Sequence, residues 1–162
     1  MLKHFASLLI LAGLPCAAGH AATHRPPSRS AIASRIKAEV ADEVVGINAH
    51  DAAKATAHEA DDTISMESGR PPIVGKKVYE QGLAMVFKRA PEWHLSLVDE
   101  SVDVAKAGDM AIYRSTYDED SARDGVPYTH RGNFIAGFKR DPDGMWRIHW
   151  SVVSWQSASH KK

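Results

Sequence analysis

The apolar residues of the first half of the chain follow helical spacing. One set recurs every three or four positions with charged residues between its members, and it comprises Ile32, Ile36, Val40, Val44 and Ile47. This pattern predicts a long amphipathic helix with one buried face. A second helix is predicted from Asp51 through Ala60, because the Asp51 side chain can cap free backbone N–H groups. A third is predicted from about Lys76 to Arg89, with Pro91 ending it.

After residue 92 the apolar period changes to two, which predicts strands. Trp93, Leu95 and Leu97 alternate with polar or smaller neighbours, and the alternation resumes at Val102 and Val104. Further strands are predicted at 110–118, 128–140 and 145–155, and the segment 141–144 has the residues of a type I turn. The segment 119–125 is predicted to be an acidic, solvated loop.

In the segment Ala60 to Leu83 the second helix ends, a short strand crosses and the third helix begins, and the remaining elements are predicted to fold around this segment. Thr63 to Met66 favours a short strand, and a rigid turn with Pro71-Pro72 follows it. Glu67 stands just past the predicted strand end, beside that turn. A carboxylate held in this way can line a cavity.

Composition limits the classes of partner. The 162 residues carry 20 basic and 20 acidic side chains, so the formal net charge is zero. No field of the whole chain would attract nucleic acid or an anionic membrane. A length of this order favours one domain with a core of its own.

The first residues have the three-part plan of a secretory signal. Lys3 and His4 precede an apolar run that is too short to span a bilayer, and small residues follow it. We expect a signal peptide at 1–21 with cleavage near Ala21, a flexible leader at 22–30, one domain at 31–156 and a tail at 157–162. The expected location is periplasmic or secreted, with no membrane contact after cleavage. Cys16 is the only cysteine, so the mature chain would contain no thiol.

The order of three helices and a closing hairpin resembles the nuclear-transport-factor-2-like superfamily, in particular its ketosteroid-isomerase-like and SnoaL-like branches. The residues that carry the resemblance are Ala60-Asp61-Asp62-Thr63, Gly69, Pro71-Pro72-Ile73, Gly75 and the hairpin Gly144-Met145-Trp146. It implies an α+β fold, also called cystatin-like, in which three N-terminal helices cover a cone-shaped, strongly curved antiparallel or mixed sheet. This superfamily carries enzymes, binding modules and assembly modules on one scaffold, so the resemblance is specific for fold and not for function.

The isomerase branch uses an aspartate base with an oxyanion hole of a tyrosine and a protonated aspartate. Counted along this chain, the base position falls on Glu67, the tyrosine near Glu43 and the protonated acid on Ala136. Both oxyanion donors are therefore missing. Loss of one such donor typically costs on the order of a hundred- to a thousand-fold in rate, which argues against a steroid isomerase of that type.

The family register indicates which side chains face the hollow of the sheet. The side chains expected there as ligand-binding residues are His94, Tyr113, Ser115, Tyr117, Tyr128, Phe134, Phe138 and His149. Such a wall, apolar with a few polar groups, is typical of a site for a small, largely apolar molecule. Binding of such a molecule, without a cofactor, is the function expected first.

Two other functions stay open. Glu67 with His130, or with Tyr113, is a candidate acid/base pair for an isomerase, lyase or hydrolase. The histidines 94, 130 and 149 share no short ligand motif, so no metal site is expected from them. The third possibility is a homo-oligomeric assembly module. On the convex face, apolar side chains including Ile135, Ile148, Trp150 and Val152 predict a homodimer interface.

Overall fold

The structure is a computed structural model that describes residues 27–123 and 126–156. The predicted signal peptide and its cleavage site, most of the leader and the tail lie outside these residues and stay predictions. Among the helices that are described, none is long and apolar enough to cross a membrane.

The three predicted helices are present as α1 (Arg29–Asn48), α2 (Ala52–Ala55) and α3 (Lys76–Arg89). Ser28 caps α1, because its Oγ accepts a hydrogen bond from the Ala31 N–H at 3.2 Å. The first helix therefore begins two residues before the predicted domain start at residue 31. Asp51 caps α2 as predicted, accepting from the Lys54 N–H at 3.0 Å.

The predicted extent of the second helix was wrong. This helix ends after one turn, where the Thr56 hydroxyl donates back to the Ala52 carbonyl at 2.9 Å. The His58 carbonyl then accepts from the Ile148 N–H at 2.9 Å, so the backbone leaves the helix to pair with the last strand. A nine-residue strand follows in place of the predicted tetrapeptide.

In the described part of the chain, six strands form one mixed sheet. They are β1 (Glu59–Glu67), β2 (Ile73–Val74), β3 (His94–Val104), β4 (Met110–Arg123), β5 (Val126–Arg140) and β6 (Trp146–Trp155). Their order across the sheet is β2-β1-β6-β5-β4-β3, with β1 and β6 parallel and every other neighbouring pair antiparallel. The predicted α+β class is confirmed.

Residues 119–123 are not the predicted solvated loop. They continue β4, and Glu119 lies opposite His130 of β5 in the antiparallel register. The alternation that starts at Tyr113 runs on through Ser121, so the acidic composition of the segment concealed a strand.

The main core lies between α1 and the concave face of the sheet. Ile32, Ile36 and Val40 of the helix pack on Tyr113 and Phe138 of the strands, together with further buried residues. A smaller cluster joins Ala55 to Leu83 and Phe87 of α3. Residues of the smaller cluster, including Ala55 and Leu83, also line the space that remains under the sheet.

An irregularity in the pairing of β5 with β6 changes which side chains face inward. The register shifts between Gly137 and Phe138, because Phe138 is opposite Ile148 while Gly137 is opposite Trp150. The prediction that Ile148 faces outward was wrong, since it is fully buried in the main core. A bulge of this kind inserts one residue into the alternation, which a strict period of two cannot anticipate.

Candidate ligand-binding cavity

A cavity of about 520 Å³ remains between α1, α3 and the concave face of the sheet. Its wall is mostly apolar and aromatic, with Leu97, Phe134 and Val153 from the strands and Val86 from α3. Volumes of 300–1,000 Å³ with such walls are typical of sites for small organic molecules.

Four residues predicted from the sequence lie in the cavity wall. They are Ser115, Tyr117, Tyr128 and Phe134. The ring of Tyr117 leans over Gly132, where a Cβ atom would stand only 2.4 Å from the tyrosine Cζ and hydroxyl oxygen. Glycine at this position therefore allows the tyrosine to lie flat against β5.

Two of the predicted residues face inward but fill the core. Tyr113 and Phe138 are fully buried, and neither lines the cavity. The Tyr113 hydroxyl donates to Glu100 Oε2 at 3.1 Å. These two side chains belong to the main core and therefore lie outside the cavity wall.

The expected inward orientation of two histidines was wrong. His94 is exposed and precedes Leu95, a wall residue, so it lies on the opposite face of β3. The ring of His149 contacts Asp141 at 3.0 Å and Asp62 at 3.6 Å, at the outer side of the closing hairpin. His149 faces outward because it is the residue inserted into β6 at the bulge between the pairs Phe138–Ile148 and Gly137–Trp150.

The proposed pair of Glu67 and His130 is only partly assembled. Glu67 lines the cavity and accepts a hydrogen bond from Arg70 Nη1 at 3.0 Å, as part of an ion pair near the mouth. The His130 ring packs against Tyr128 and Trp155, with ring centroids 4.7 and 5.7 Å away. Both of those aromatic residues line the cavity, and His130 stands beside them. Within the described residues, no group of three or more potential ligands, including these histidines, is arranged to hold a metal ion.

Two carboxyl groups that sequence reasoning did not select lie at the buried end of the cavity. Glu43 of α1 and Glu59 of β1 both line it, with only 7% and 4% of their surfaces exposed. Burial, and then the charge of Glu59, raises the pKa of Glu43 well above its usual value. Burial likewise raises the pKa of Glu59 to about 7, although a hydrogen bond from Thr63 opposes the shift.

The signal for these residues was weak in the sequence. Glu43 lies three residues after Val40 and four before Ile47, which is a position on the apolar face of α1. A charged residue there was interpreted as solvated. Glu59 precedes the predicted strand and was assigned to the second helix, so its burial could not be inferred.

A third acidic group, Glu119 of β4, lies in the wall toward the mouth. Burial, with a smaller contribution from the charge of Glu67, raises the pKa of Glu119 to about 7. The nearby indole N–H of Trp93 lowers the pKa of Glu119 in part, because it points a donor toward the carboxylate. This buried N–H is too far or too poorly aligned to form a full hydrogen bond with any described residue. Tyr117 lies close to both carboxyls, and burial raises its pKa above its usual value.

The cavity thus has two polar regions separated by an apolar wall. The buried end contains Glu43 and Glu59, which form no ion pair within residues 27–123 and 126–156, and the mouth contains Glu67, Arg70 and Glu119. Groups that titrate near neutral pH inside a cavity can bind a polar group of a ligand or exchange protons with it.

Comparison with solved structures identifies the fold. A nuclear-transport-factor-2-like superfamily protein from Salmonella enterica serovar Typhimurium superposes with a TM-score of 0.72 at 14% identity, covering 81% of this chain and 95% of that one. A ketosteroid isomerase-like protein from Erwinia carotovora atroseptica gives a TM-score of 0.62 at 21% identity, covering 77% and 96%. A protein of unknown function with this fold from Pseudomonas putida gives 0.65 at 18% identity, covering 79% and 89%.

The chain therefore has the nuclear-transport-factor-2-like fold, which is the fold that the resemblance implied. No family model matches the sequence. No curated protein matches it either. At these identities the similarity establishes the architecture and leaves the activity to be argued from the site.

Proposed function

We propose that this protein is an exported binding module that holds a small, largely apolar molecule in the cavity under its sheet. The observation that carries the proposal is a cavity of about 520 Å³ whose wall is mostly aromatic and aliphatic, with ionisable groups at its buried end and at its mouth. Tyr113 and Phe138 pack into the main core, whereas the cavity beside it is not filled by the protein's own side chains.

Binding can be tested with N-phenyl-1-naphthylamine, an apolar fluorophore that is uncharged at pH 7. Its emission is expected to rise when it enters the cavity. Ser121 lines the cavity and is buried, so Ser121→Trp places an indole in the space. The matched control is Ser101→Trp, because Ser101 is exposed on β3 opposite Arg114 and outside the cavity wall.

We expect Ser121→Trp to weaken binding of the fluorophore at least tenfold and Ser101→Trp to leave it unchanged, with circular dichroism verifying that both variants fold. Equal affinity in both variants would show that the fluorophore binds elsewhere and would contradict the proposal. Native mass spectrometry of protein purified from the cell envelope would then identify a co-purified ligand and test the export that the signal peptide predicts.

A second candidate function is acid/base catalysis at the mouth of the cavity. It is favoured by Glu119, whose pKa of about 7 suits proton exchange and which lies opposite His130 in the strand pairing. Glu67, the base position implied by the family, contributes to that pKa from the same region. The sheet would then act as a scaffold for an isomerase or lyase.

This candidate predicts deuterium incorporation from D2O into cyclic β,γ-unsaturated ketones, followed by NMR. Glu119→Gln and Glu67→Gln separate the two carboxyls as bases, and the exposed Glu92→Gln is the control. A variant that still binds the fluorophore but loses exchange identifies the base. Absence of exchange with the unmodified protein across such ketones would favour the binding module.

A further inference from the structure

Among the residues that the structure describes, the two carboxyls at the buried end of the cavity have no counter-ion of their own. Glu59 Oε2 accepts a hydrogen bond from the Thr63 hydroxyl at 2.6 Å. Glu43 Oε1 is buried and accepts no hydrogen bond from any part of the chain that the structure describes. Within the described residues neither side chain forms an ion pair, whereas Glu39 pairs with Arg35 at 2.8 Å.

Lys76 is close enough to affect Glu43 and Glu59, but its ammonium group is hydrogen-bonded to a backbone carbonyl outside the cavity wall. Lys76 lowers the pKa of Glu43 and of Glu59 in part through its charge. Its Nζ donates to the Ala57 carbonyl at 3.0 Å, and its side chain is not part of the cavity wall. The cation therefore reduces the local negative potential without occupying the site between the carboxyls.

The remaining groups around the pair are acidic or neutral. From α1, Glu39 and Asp42 add negative charge, and Asp42 is itself paired with Lys54 and His58. From α3, the Tyr79 hydroxyl adds no charge, because burial raises its pKa further above its usual value. From β1, Thr63 contributes a hydroxyl and Ser65 lines the cavity. The buried end thus favours a cation over a neutral or anionic group.

Positive charge in the cavity wall is found at other positions. Arg70 is held by Glu67, and Arg89 is an exposed residue of the last turn of α3. An anionic head group would find these arginines only near the opening. At the buried end it would meet Glu43 and Glu59, whose ionised forms carry its own sign, in a low dielectric where such repulsion is strong.

We propose that the ligand of this cavity is an apolar molecule with a basic amine, whose ammonium group binds between Glu43 and Glu59 while its hydrocarbon body lies against Leu97, Phe134 and Val86. The proposal rests on the binding function argued above and names the class of its ligand. An ammonium group has donors to satisfy the free oxygen of Glu43 and a carboxylate oxygen of Glu59 together. Hydrogen bonds between charged partners are the stronger kind in proteins.

Three ligands of the same shape test this class. They are 1-adamantylmethylamine, 1-adamantylmethanol and 1-adamantanecarboxylate, which share the adamantyl body and carry a cationic, a neutral and an anionic head group. Isothermal titration calorimetry at pH 8 measures each affinity for the unmodified protein. Since a charged hydrogen bond contributes about 1.5–3 kcal/mol, the amine is expected to bind roughly 10- to 100-fold more tightly than the alcohol.

Glu59→Gln and Glu43→Gln test the site. Each is expected to reduce the preference for the amine over the alcohol to about threefold or less, and the exposed Glu92→Gln is expected to retain it. A second measurement needs no variant. At pH 6.5 a bound ammonium ion displaces a proton from the carboxyl pair, so titrations in buffers of different ionisation enthalpy should show proton release with the amine and none with the alcohol.

The outcomes separate this inference from the proposed function. If the alcohol binds as tightly as the amine, or the amine binds without proton release, the amine class is refuted and an apolar binding site remains. If N-phenyl-1-naphthylamine binds in the cavity while all three adamantyl compounds fail, the amine class is also refuted. If Ser121→Trp leaves the binding of the fluorophore and of the adamantyl compounds unchanged, both the amine class and the proposed binding function are refuted.

Discussion

Glu59→Gln is expected to make the protein more stable at pH 8 and to change its stability little at pH 5. The substituted side chain keeps the shape of the glutamate and an oxygen that can accept the hydrogen bond from Thr63. What it loses is the negative charge, which this buried position disfavours because the carboxyl is only 4% exposed.

The size of the effect follows from the pKa of Glu59, which is 4.5 in a solvated chain and about 7 in the folded protein. Because folding raises the pKa of Glu59, the folded protein binds this proton more tightly than the unfolded chain does. The protonated carboxyl therefore contributes its full share to the unfolding free energy below pH 4.5, and that share is lost as the pH rises through 7. Between pH 5 and pH 8 the linkage relation gives a loss of about 2.5 kcal/mol in the unfolding free energy, all of it absent from the variant.

Urea unfolding followed by circular dichroism at pH 5, 6, 7 and 8 measures this difference. The unfolding free energy of Glu59→Gln should exceed that of the unmodified protein by an amount that increases steadily from pH 5 to pH 8. The exposed control Glu92→Gln should stay within about 0.5 kcal/mol of the unmodified protein at every pH. The reasoning is refuted if the difference between Glu59→Gln and the unmodified protein is the same at pH 5 and pH 8. It is also refuted if the variant is less stable at both.

Three further predictions concern packing and assembly. Gly132→Ala should displace the ring of Tyr117, which a new Cβ would approach to 2.4 Å, and should lower the affinity for N-phenyl-1-naphthylamine while destabilising the protein by about 1–3 kcal/mol. Gly46→Ala should destabilise it by at least as much in thermal melts, because its Cβ would stand 2.4 Å from the backbone nitrogen of Ala55, which cannot rotate away. Light scattering should show a dimer through the convex face that Ile135→Asp converts to a monomer with unchanged circular dichroism; a monomeric unmodified protein would refute the interface.

Local sequence patterns were sufficient to predict the helices and strands in which one face is buried along the whole element. The apolar face of α1 and the alternation in β3 to β6 follow from repeated spacing, so their existence could be predicted. The second helix was overestimated because Thr56 and the pairing of residue 58 with β6 end it, and that pairing connects positions 90 residues apart. No local pattern contains such a contact.

The candidate site was less predictable than the fold because it depends on irregularities. One bulge in β6 removed His149 from the concave face, and an acidic segment that resembled a loop placed Glu119 in the cavity. The aromatic wall residues Tyr117 and Phe134 were predicted correctly, since they lie before the bulge and share one uninterrupted register. Alternation locates side chains reliably only until the first inserted residue.

The two buried carboxyls connect stability with the proposed ligand. Ionised glutamates at the buried end of an apolar cavity lower the unfolding free energy near and above neutral pH, and Glu59→Gln is expected to remove that loss. The same substitution removes the charge that would hold an ammonium group, so it should strengthen the fold and weaken amine binding at once. A carboxyl kept only for structural hydrogen bonding would behave in the opposite way, since its loss would destabilise the protein and leave the preference among the three adamantyl compounds unchanged. The two measurements on one variant therefore distinguish a binding group from a structural one.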